Sequence, residues 1–469
     1  MPSERRLSPL DAAFLALETP TAHMHVGWAT TFVPPDGGRR PSFDELRDHI
    51  GARLSRAPRY RQRLKGVPLG ISPPYWVDDG EFDLDRHVVP AGSDELGEIV
   101  AQCMSEQLPR DRPMWQICVA ERLRDGRVGV VGKAHHSMVD GIAAVELASL
   151  LLDPEPDAGP EASDPWRPWP EPTGIELLVR AATARSWERL RLATGAVRAV
   201  SSSTRLGALA GSARSSLRAL ADAARPAESS RTLNAPISPR RHLGTVRRPL
   251  DDLMRIKSAF GATINDVVLA ACAGAMRRHL DTRGEGPRPL KAMVPVNTRV
   301  ADDGDGLGNR LSFVFCDLPC EESGPVPRLR RVQRQMTARK EADGPAGGDA
   351  LLRLVGQAVY PLHRLASRLV ASPRAFNLVV SNIPGPPNQM YMAGCRLEQA
   401  YPVVPLADRH ALSIGMTSIG GGAFFGLYAD SERLPDVDRL ASGLEAELDA
   451  LLDLATRSSY PARRALAER

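Results

Sequence analysis

His135-His136-Ser137-Met138-Val139-Asp140-Gly141 is the stretch on which the reading of this chain turns. Before it runs Arg127-Val128-Gly129-Val130-Val131-Gly132-Lys133-Ala134, short, β-rich and mostly apolar, which predicts a buried strand. After it, Ile142 to Leu152 carries a helical pattern ended by Asp153-Pro154. Two imidazoles therefore stand where a strand ends, and a carboxylate follows the second by four residues. Gly141 closes a turn able to fold Asp140 back beneath His136, because glycine accepts backbone angles that a side chain forbids.

General base catalysis uses such an arrangement. A neutral imidazole, with an unperturbed pKa of about 6.5, takes a proton from an alcohol or amine at cellular pH. The carboxylate need not touch substrate; it holds the ring in one tautomer, or pairs with an arginine to fix the turn. Two other readings fit the same residue types: a structural histidine pair at a strand end, and metal ligation by two histidines and an aspartate. No further ligand stands nearby at metal-binding spacing, so no metal is expected.

Upstream, Leu7 to Glu18 predicts a helix with Ser8 as its cap and Pro9 at its first position. A strand with Met24-His25-Val26-Gly27-Trp28 follows, then a helix from about Ser42 to Leu54. The basic run Arg59-Tyr60-Arg61-Gln62-Arg63-Leu64 reads as a solvated face. Pro113 to Val119 begins a strand expected to form a hairpin with the one carrying His135, with Trp115 in the core.

Downstream, Asp153 to Thr173 turns Pro- and acid-rich, too long a loop for an idle connection. Residues 174 to 231 read as helix broken near Ser201 to Ser203, with ten arginines against four acidic residues. Packing on its own protein is the default for such a stretch; lying on an anionic lipid surface is the alternative. Thr263 caps a helix that includes Asn265 and Asp266 in the manner of a capping box, so both residues have a purely local explanation. Strands are expected at Leu290 to Val296 and Leu311 to Phe315. A long helical hairpin should turn near Gly344-Pro345. Phe376 to Pro386 holds a strand, two more flank Gly420-Gly421-Gly422, and a last helix runs from about Pro435 to Leu454. Strands and helices alternate in both halves, which predicts an α/β sandwich of two related domains.

Composition narrows the function classes. The 469 residues carry 43% hydrophobic and 25% charged side chains, ordinary for a globular protein. A net charge of +4 on 60 basic and 56 acidic residues is too small to imply nucleic acid. Six scattered cysteines suggest neither zinc nor a disulfide framework, so a reducing cytoplasm is expected. No apolar run approaches the roughly 20 residues of a membrane span.

The motifs together resemble the bacterial wax ester synthase/acyl-CoA:diacylglycerol acyltransferase family, within the chloramphenicol acetyltransferase-like superfamily. The resemblance runs nearly end to end. It includes Leu7-Ser8-Pro9-Leu10-Asp11, Met24-His25-Val26-Gly27, Pro113-Met114-Trp115 (where the family usually has Leu in the middle) and the double-histidine motif. It continues through Asn265-Asp266, Gly308-Asn309 with Leu318-Pro319, and Ser381-Asn382-Ile383-Pro384-Gly385-Pro386. The double-histidine motif alone is shared with peptide-synthetase condensation domains; the ordered set is far more specific.

The resemblance implies two chloramphenicol acetyltransferase-like domains with the active site in a tunnel between them. Residues 1–155 would form the N-terminal domain, 156–239 a Pro-rich linker and basic helical crossover, and 240–469 the C-terminal domain. It implies acyl transfer from acyl-CoA, a substrate rather than a cofactor, to the hydroxyl of diacylglycerol or a long-chain alcohol. His136 would act as base, Asp140 would orient the turn with Gly141, and His135 would shape the site. Asn265 and Asp266 would support it, Arg299 would pair with Asp140, and Ser381 or Asn382 would reach the tunnel. The expected location is the cytoplasm, with a membrane or lipid-droplet surface as partner. Acyl transfer to another acceptor, giving a complex lipid ester or an amide with a carrier-protein-bound donor, and a non-catalytic lipid-body or acyl-CoA binding role are the alternatives.

Overall fold

The computed structural model describes residues 6–138 except 36, 151–184 except 158 and 160–165, 225–297, 311–343, 368, and 371–467 except 387. The predicted helix at 142–152 lies mostly outside these residues. Asp140, Gly141, Arg299, Gly308-Asn309 and the turn at Gly344-Pro345 lie outside them entirely.

Two six-stranded sheets frame the molecule. The first half supplies β1 (His25–Val33), β2 (Gln62–Lys65), β3 (Tyr75–Asp78), β4 (Val88–Pro90), β5 (Trp115–Ala120) and β6 (Val128–His135). The second supplies β7 (Arg241–Pro249), β8 (Leu290–Asn297), β9 (Leu311–Leu318), β10 (Leu378–Pro384), β11 (Tyr391–Met392), β12 (Cys395–Val403), β13 (Leu412–Ile419) and β14 (Gly422–Asp430). The sheet orders are β11-β12-β1-β6-β5-β4 and β7-β14-β13-β10-β8-β9, while β2 and β3 pair separately. The mixed α/β sandwich expected from the alternation is present.

The strand before the double histidine ends on His135, and every residue of it is buried. That fits a central position, since β6 pairs antiparallel with β1 on one side and β5 on the other. Gly27 and Gly132 permit the tight packing here. A methyl on Gly27 would sit 2.4 Å from the Gly132 carbonyl oxygen, and one on Gly132 would sit 2.2 Å from the Trp28 ring. The β13–β14 turn places Gly420 (φ 54°) and Gly421 (φ 78°) at left-handed angles, the pair of conformations that a two-residue hairpin needs.

One assignment could not be read from local pattern. The C-terminal segment was expected to stay in the second unit, yet β12 pairs with β1 along its length, from Gly27 opposite Val403 to Val33 opposite Arg396. A strand from the second half therefore extends the first sheet, and β11 adds an edge. The same strand lies on the second sheet. A methyl on Gly426 would approach the Pro402 carbonyl oxygen to 2.2 Å, so the two sheets touch through a bare glycine.

The helices begin where their caps dictate. Ser8 caps α1 (Pro9–Leu17), its hydroxyl accepting the Asp11 amide at 3.1 Å. Ser42 and Glu45 form a capping box on α2 (Phe43–Arg53). Then come α3 (Leu96–Ser105) and α4 (Leu250–Phe260), followed by α5 (Ile264–Thr282), where Thr263 and Asp266 form the predicted box. Of the expected helical hairpin the described residues hold one helix, α6 (Pro325–Asp343), and the last helix, α7 (Val437–Ala467), outruns its expected end at Leu454. Residues 174–184 are helical, and the expected break at Ser201 to Ser203 lies outside the described residues. The basic run is no solvated face: Arg61 is buried beside the Trp166 ring, and Arg59 lies 4.4 Å from the centre of the Trp76 ring. Aromatic faces hold both cations.

Candidate active site

β6 delivers the two histidines to different places. Along a strand successive side chains point to opposite faces. His135 shares the face of Lys133 and lies opposite His25, and it has no exposed surface. His136 follows the strand end and is half-buried. Its amide donates to the Met24 carbonyl at 2.9 Å, which fixes the backbone at that point. Met24 itself takes a left-handed φ of 52°, uncommon for a residue with a side chain.

Helix α1 supports both rings. Phe14 stacks on His136, the ring centres 3.6 Å apart and the planes 19° from parallel. One helical turn later, Glu18 places its buried carboxylate 3.8 Å from His135 Nε2. Arg110 Nε donates to that carboxylate at 3.0 Å and Gln107 Nε2 at 2.7 Å, so its charge is compensated. The Ser137 amide donates to His135 Nδ1 at 3.1 Å. Nδ1 is therefore an acceptor, and the proton of neutral His135 sits on Nε2.

Burial sets the protonation of both rings. Desolvation pulls His136 down to about 4. His135 falls to about 3 through desolvation, with the positive charge of Arg110 adding to it. Both are neutral at physiological pH. His136 Nδ1 is buried with no hydrogen-bond partner among the described residues. Among those residues no group of three or more histidine, cysteine or carboxylate side chains could hold a metal ion.

An apolar cavity opens where the two sheets meet. Val26 and Trp28 of β1, Leu397 and Tyr401 of β12, and Ile383 and Thr417 of the second sheet line it. Val26 lies opposite Ala134, two residues before His136, so the cavity starts close to the double histidine along the same strands.

The remaining predicted residues lie elsewhere. Asp266 accepts the Thr263 amide at 2.8 Å, and Asn265 sits beside it in the first turn of α5. Ser381 is buried on β10 opposite Gly415, and Asn382 is half-buried opposite Met416. Their strand reaches the cavity at the next residue, Ile383. No described contact joins these four residues to either histidine. Phe14 and Glu18 were missed by sequence reasoning; Phe14 lies on the capped helix and Glu18, four positions on, is the residue that ends it.

Two six-stranded sheets joined through β12, with a double histidine at the end of β6, form a two-domain mixed α/β scaffold of the chloramphenicol acetyltransferase-like kind. The chain belongs to the wax ester synthase/diacylglycerol acyltransferase family: the family's catalytic-domain model matches residues 7–268 and its C-terminal-domain model residues 307–452. It is 32% identical over 469 residues to the probable diacylglycerol O-acyltransferase tgs1 of Mycobacterium tuberculosis, covering 98% of each chain. It is similar in structure to the wax ester synthase/diacylglycerol acyltransferase of Marinobacter aquaeolei VT8, with a TM-score of 0.67 and 27% identity over 96% of this chain and all of that one. The first condensation domain of the CDA synthetase shares the fold, with a TM-score of 0.59 at 16% identity over 96% of each chain.

Proposed function

We propose that this protein transfers a fatty acyl group from acyl-CoA to the hydroxyl of a diacylglycerol or a long-chain alcohol. The observation that carries this reading is a neutral His136 at the end of β6, a strand whose partner β1 lines an apolar cavity between the two sheets. His136 takes the hydroxyl proton as the oxygen attacks the thioester carbonyl. The C–S bond of the resulting tetrahedral intermediate then breaks, the ester is released, and the imidazolium returns the proton to the CoA thiolate. No covalent acyl-enzyme is needed.

His135, tied to Ser137 and close to Glu18, shapes the site rather than reacting. Asp140 and Gly141 orient the turn, with Arg299 as partner of Asp140. Asn265 and Asp266 support the second domain's packing around the site. Ser381 or Asn382 supplies a hydrogen bond near the reacting carbonyl, where preorganised donors stabilise developing charge. The N-terminal domain spans residues 1–155 and the C-terminal domain 240–469, with β11 and β12 lent to the first sheet. The work is done in the cytoplasm, at the surface of a membrane or lipid body that holds the acceptor.

The test is release of free CoA thiol from palmitoyl-CoA, with diolein or hexadecanol supplied in turn, beside His136→Ala. Acceptor-dependent release that drops by about three orders of magnitude in the variant supports the base role, at the scale of general base catalysis. Release unchanged by His136→Ala overturns that role. No acceptor-dependent release at all would favour a binding protein on this fold.

A further inference from the structure

The cavity between the sheets is apolar, yet among the described residues three hydroxyl side chains line it: Thr30, Tyr401 and Thr417. Two of them are satisfied. Thr30 donates to the Val130 carbonyl at 2.9 Å, and Tyr401 donates to Gln399 Oε1 at 3.2 Å. Thr417, on β13, is only 3% exposed, and its Oγ1 is buried with no hydrogen-bond partner among the described residues. A buried hydroxyl in that condition is uncommon, because it gives up its bonds to water and gains none in return.

Its neighbours offer no bond but do leave room. Thr417 pairs with Ile383 of β10 and Phe424 of β14, both apolar. A methyl on Gly385 would sit 3.0 Å from Thr417 Oγ1, so the bare glycine of the Pro384-Gly385-Pro386 turn keeps space beside the hydroxyl. Strand register gives the depth. The Tyr401 ring meets the Phe424 ring edge-on, centres 5.6 Å apart, and Tyr401 pairs with Ala29 of β1. Thr417 is therefore about level with Ala29, whereas the His136 amide is held level with Met24. The chain from Met24 to Ala29 covers roughly 16 Å, at about 3.3 Å per residue. Even with the reach of the imidazole subtracted, Thr417 stands along the body of a bound chain and not at its reacting end.

We infer that Thr417 is a specificity-determining residue whose hydroxyl recognises an oxygen atom carried mid-chain by the fatty substrate, as in a hydroxy- or oxo-substituted chain. The inference rests on the proposed function, since it concerns the chain that fills the cavity during transfer. A plain alkyl chain there shuts water away from Thr417 and leaves the hydroxyl unpaired, which costs more than an ordinary hydrogen bond gains. An oxygen at that depth accepts from the hydroxyl and removes the penalty. A site built to bond such a group discriminates against the analogue that lacks it, whereas apolar walls such as Val26, Ile383, Leu397 and Ile419 hold either chain. The oxygen-bearing chain can belong to the acyl donor or to the acceptor alcohol, and the chemistry at Thr417 is the same.

The experiment uses the full chain with Thr417→Val, which replaces the hydroxyl by a methyl and keeps a β-branched strand residue, and with Thr417→Ser, which keeps the hydroxyl. One arm compares kcat/KM for ricinoleoyl-CoA and oleoyl-CoA with hexadecanol; the two donors differ only in a mid-chain hydroxyl. The other arm compares ricinoleyl and oleyl alcohol as acceptors of palmitoyl-CoA. The expected result is a wild-type preference of about fivefold for the hydroxylated chain, the worth of one net hydrogen bond, in the arm whose chain occupies the cavity. Thr417→Val should abolish or invert that preference, and Thr417→Ser should retain it. A wild type with no preference in either arm overturns the inference, as does a preference that survives Thr417→Val. Absent turnover with every pair would instead sink the proposed function. Displacement of a fluorescent fatty acid by ricinoleate against oleate, in the wild type and Thr417→Val, then decides the role of the hydroxyl by the same ratio.

Discussion

Phe14 lies face to face with His136, ring centres 3.6 Å apart, so the first helix of the chain forms one wall of the site built at the end of β6. The contact does two opposing things. The phenyl ring excludes water and lowers the basicity of the imidazole, yet its negative face favours an imidazolium once one forms. Phe14→Ala should therefore move the acid limb of the kcat/KM profile upward, toward the unperturbed 6.5, while lowering the plateau about five- to tenfold, from the roughly 1 kcal/mol worth of such stacking. A plateau and limb equal to wild type would mean that the stack is packing alone.

In the intact protein His136 is held at about 4 and is the neutral base above that pH. kcat/KM should thus stay flat from pH 8 to about pH 6 and fall only as pH approaches 4. Free-thiol release in overlapping buffers tests this. An acid limb centred near 6.5 would contradict the buried ring.

Stability should follow the opposite protonation bias of the two states. His135 at about 3, and His49 and His136 at about 4, all lie below the 6.5 of an unfolded histidine. Between those values the unfolded chain takes up protons that the native protein refuses, so stability rises with pH there. It is fully present above about 6.5 and is lost toward pH 4, by up to about 1.4 kcal/mol per pH unit for each histidine. Urea midpoints at pH 7.5 and pH 5 should differ clearly, with the lower one at pH 5.

Downstream of the double-histidine motif, Asp153 is gripped by a buried clamp. Arg53 Nε donates to it at 2.9 Å, the second guanidinium arm donates to its other oxygen, and Arg56 stands at 3.3 Å. The backbone of Asp153 pairs with Tyr391 of β11. His49 joins the same junction, accepting the Ala393 amide at 3.2 Å and facing the Leu151 carbonyl at 3.2 Å. Asp153→Asn should cost about 3 kcal/mol, because it leaves a buried guanidinium without its counter-charge. The double change Asp153→Leu/Arg53→Met should recover part of that loss in the urea midpoint. A single variant as stable as wild type would show that the clamp contributes nothing.

Much of the frame was legible because it is written locally. Ser8 and Thr263 announce helix starts through side-chain oxygens that reach the third residue onward, and both caps form. The apolar run before His135 is buried on both faces and ends where the polar pair begins. The same locality explains the limits at Asn265-Asp266: the motif reads as a cap, and the Asp266 carboxylate does accept the Thr263 amide. Phe14 and Glu18 were less legible. They lie on and at the end of one short helix, but nothing in their own segment says that a strand end more than a hundred residues later will rest there.

By itself, the sequence determined the capped helices, the strands with a clear apolar period, the position of the double histidine at a strand end, and the motif set that marks the family. Those depend on side-chain period, capping chemistry and backbone freedom, all short-range properties. Tertiary structure decided the full burial of His135, the stacking of Phe14 on His136, the depression of both pKa values, and the exposure of Leu69. It also decided that β12 crosses to the first sheet and walls the cavity from that side. These outcomes depend on which surfaces exclude water from one another, and alternation along a strand reports a buried face without naming the neighbour that buries it.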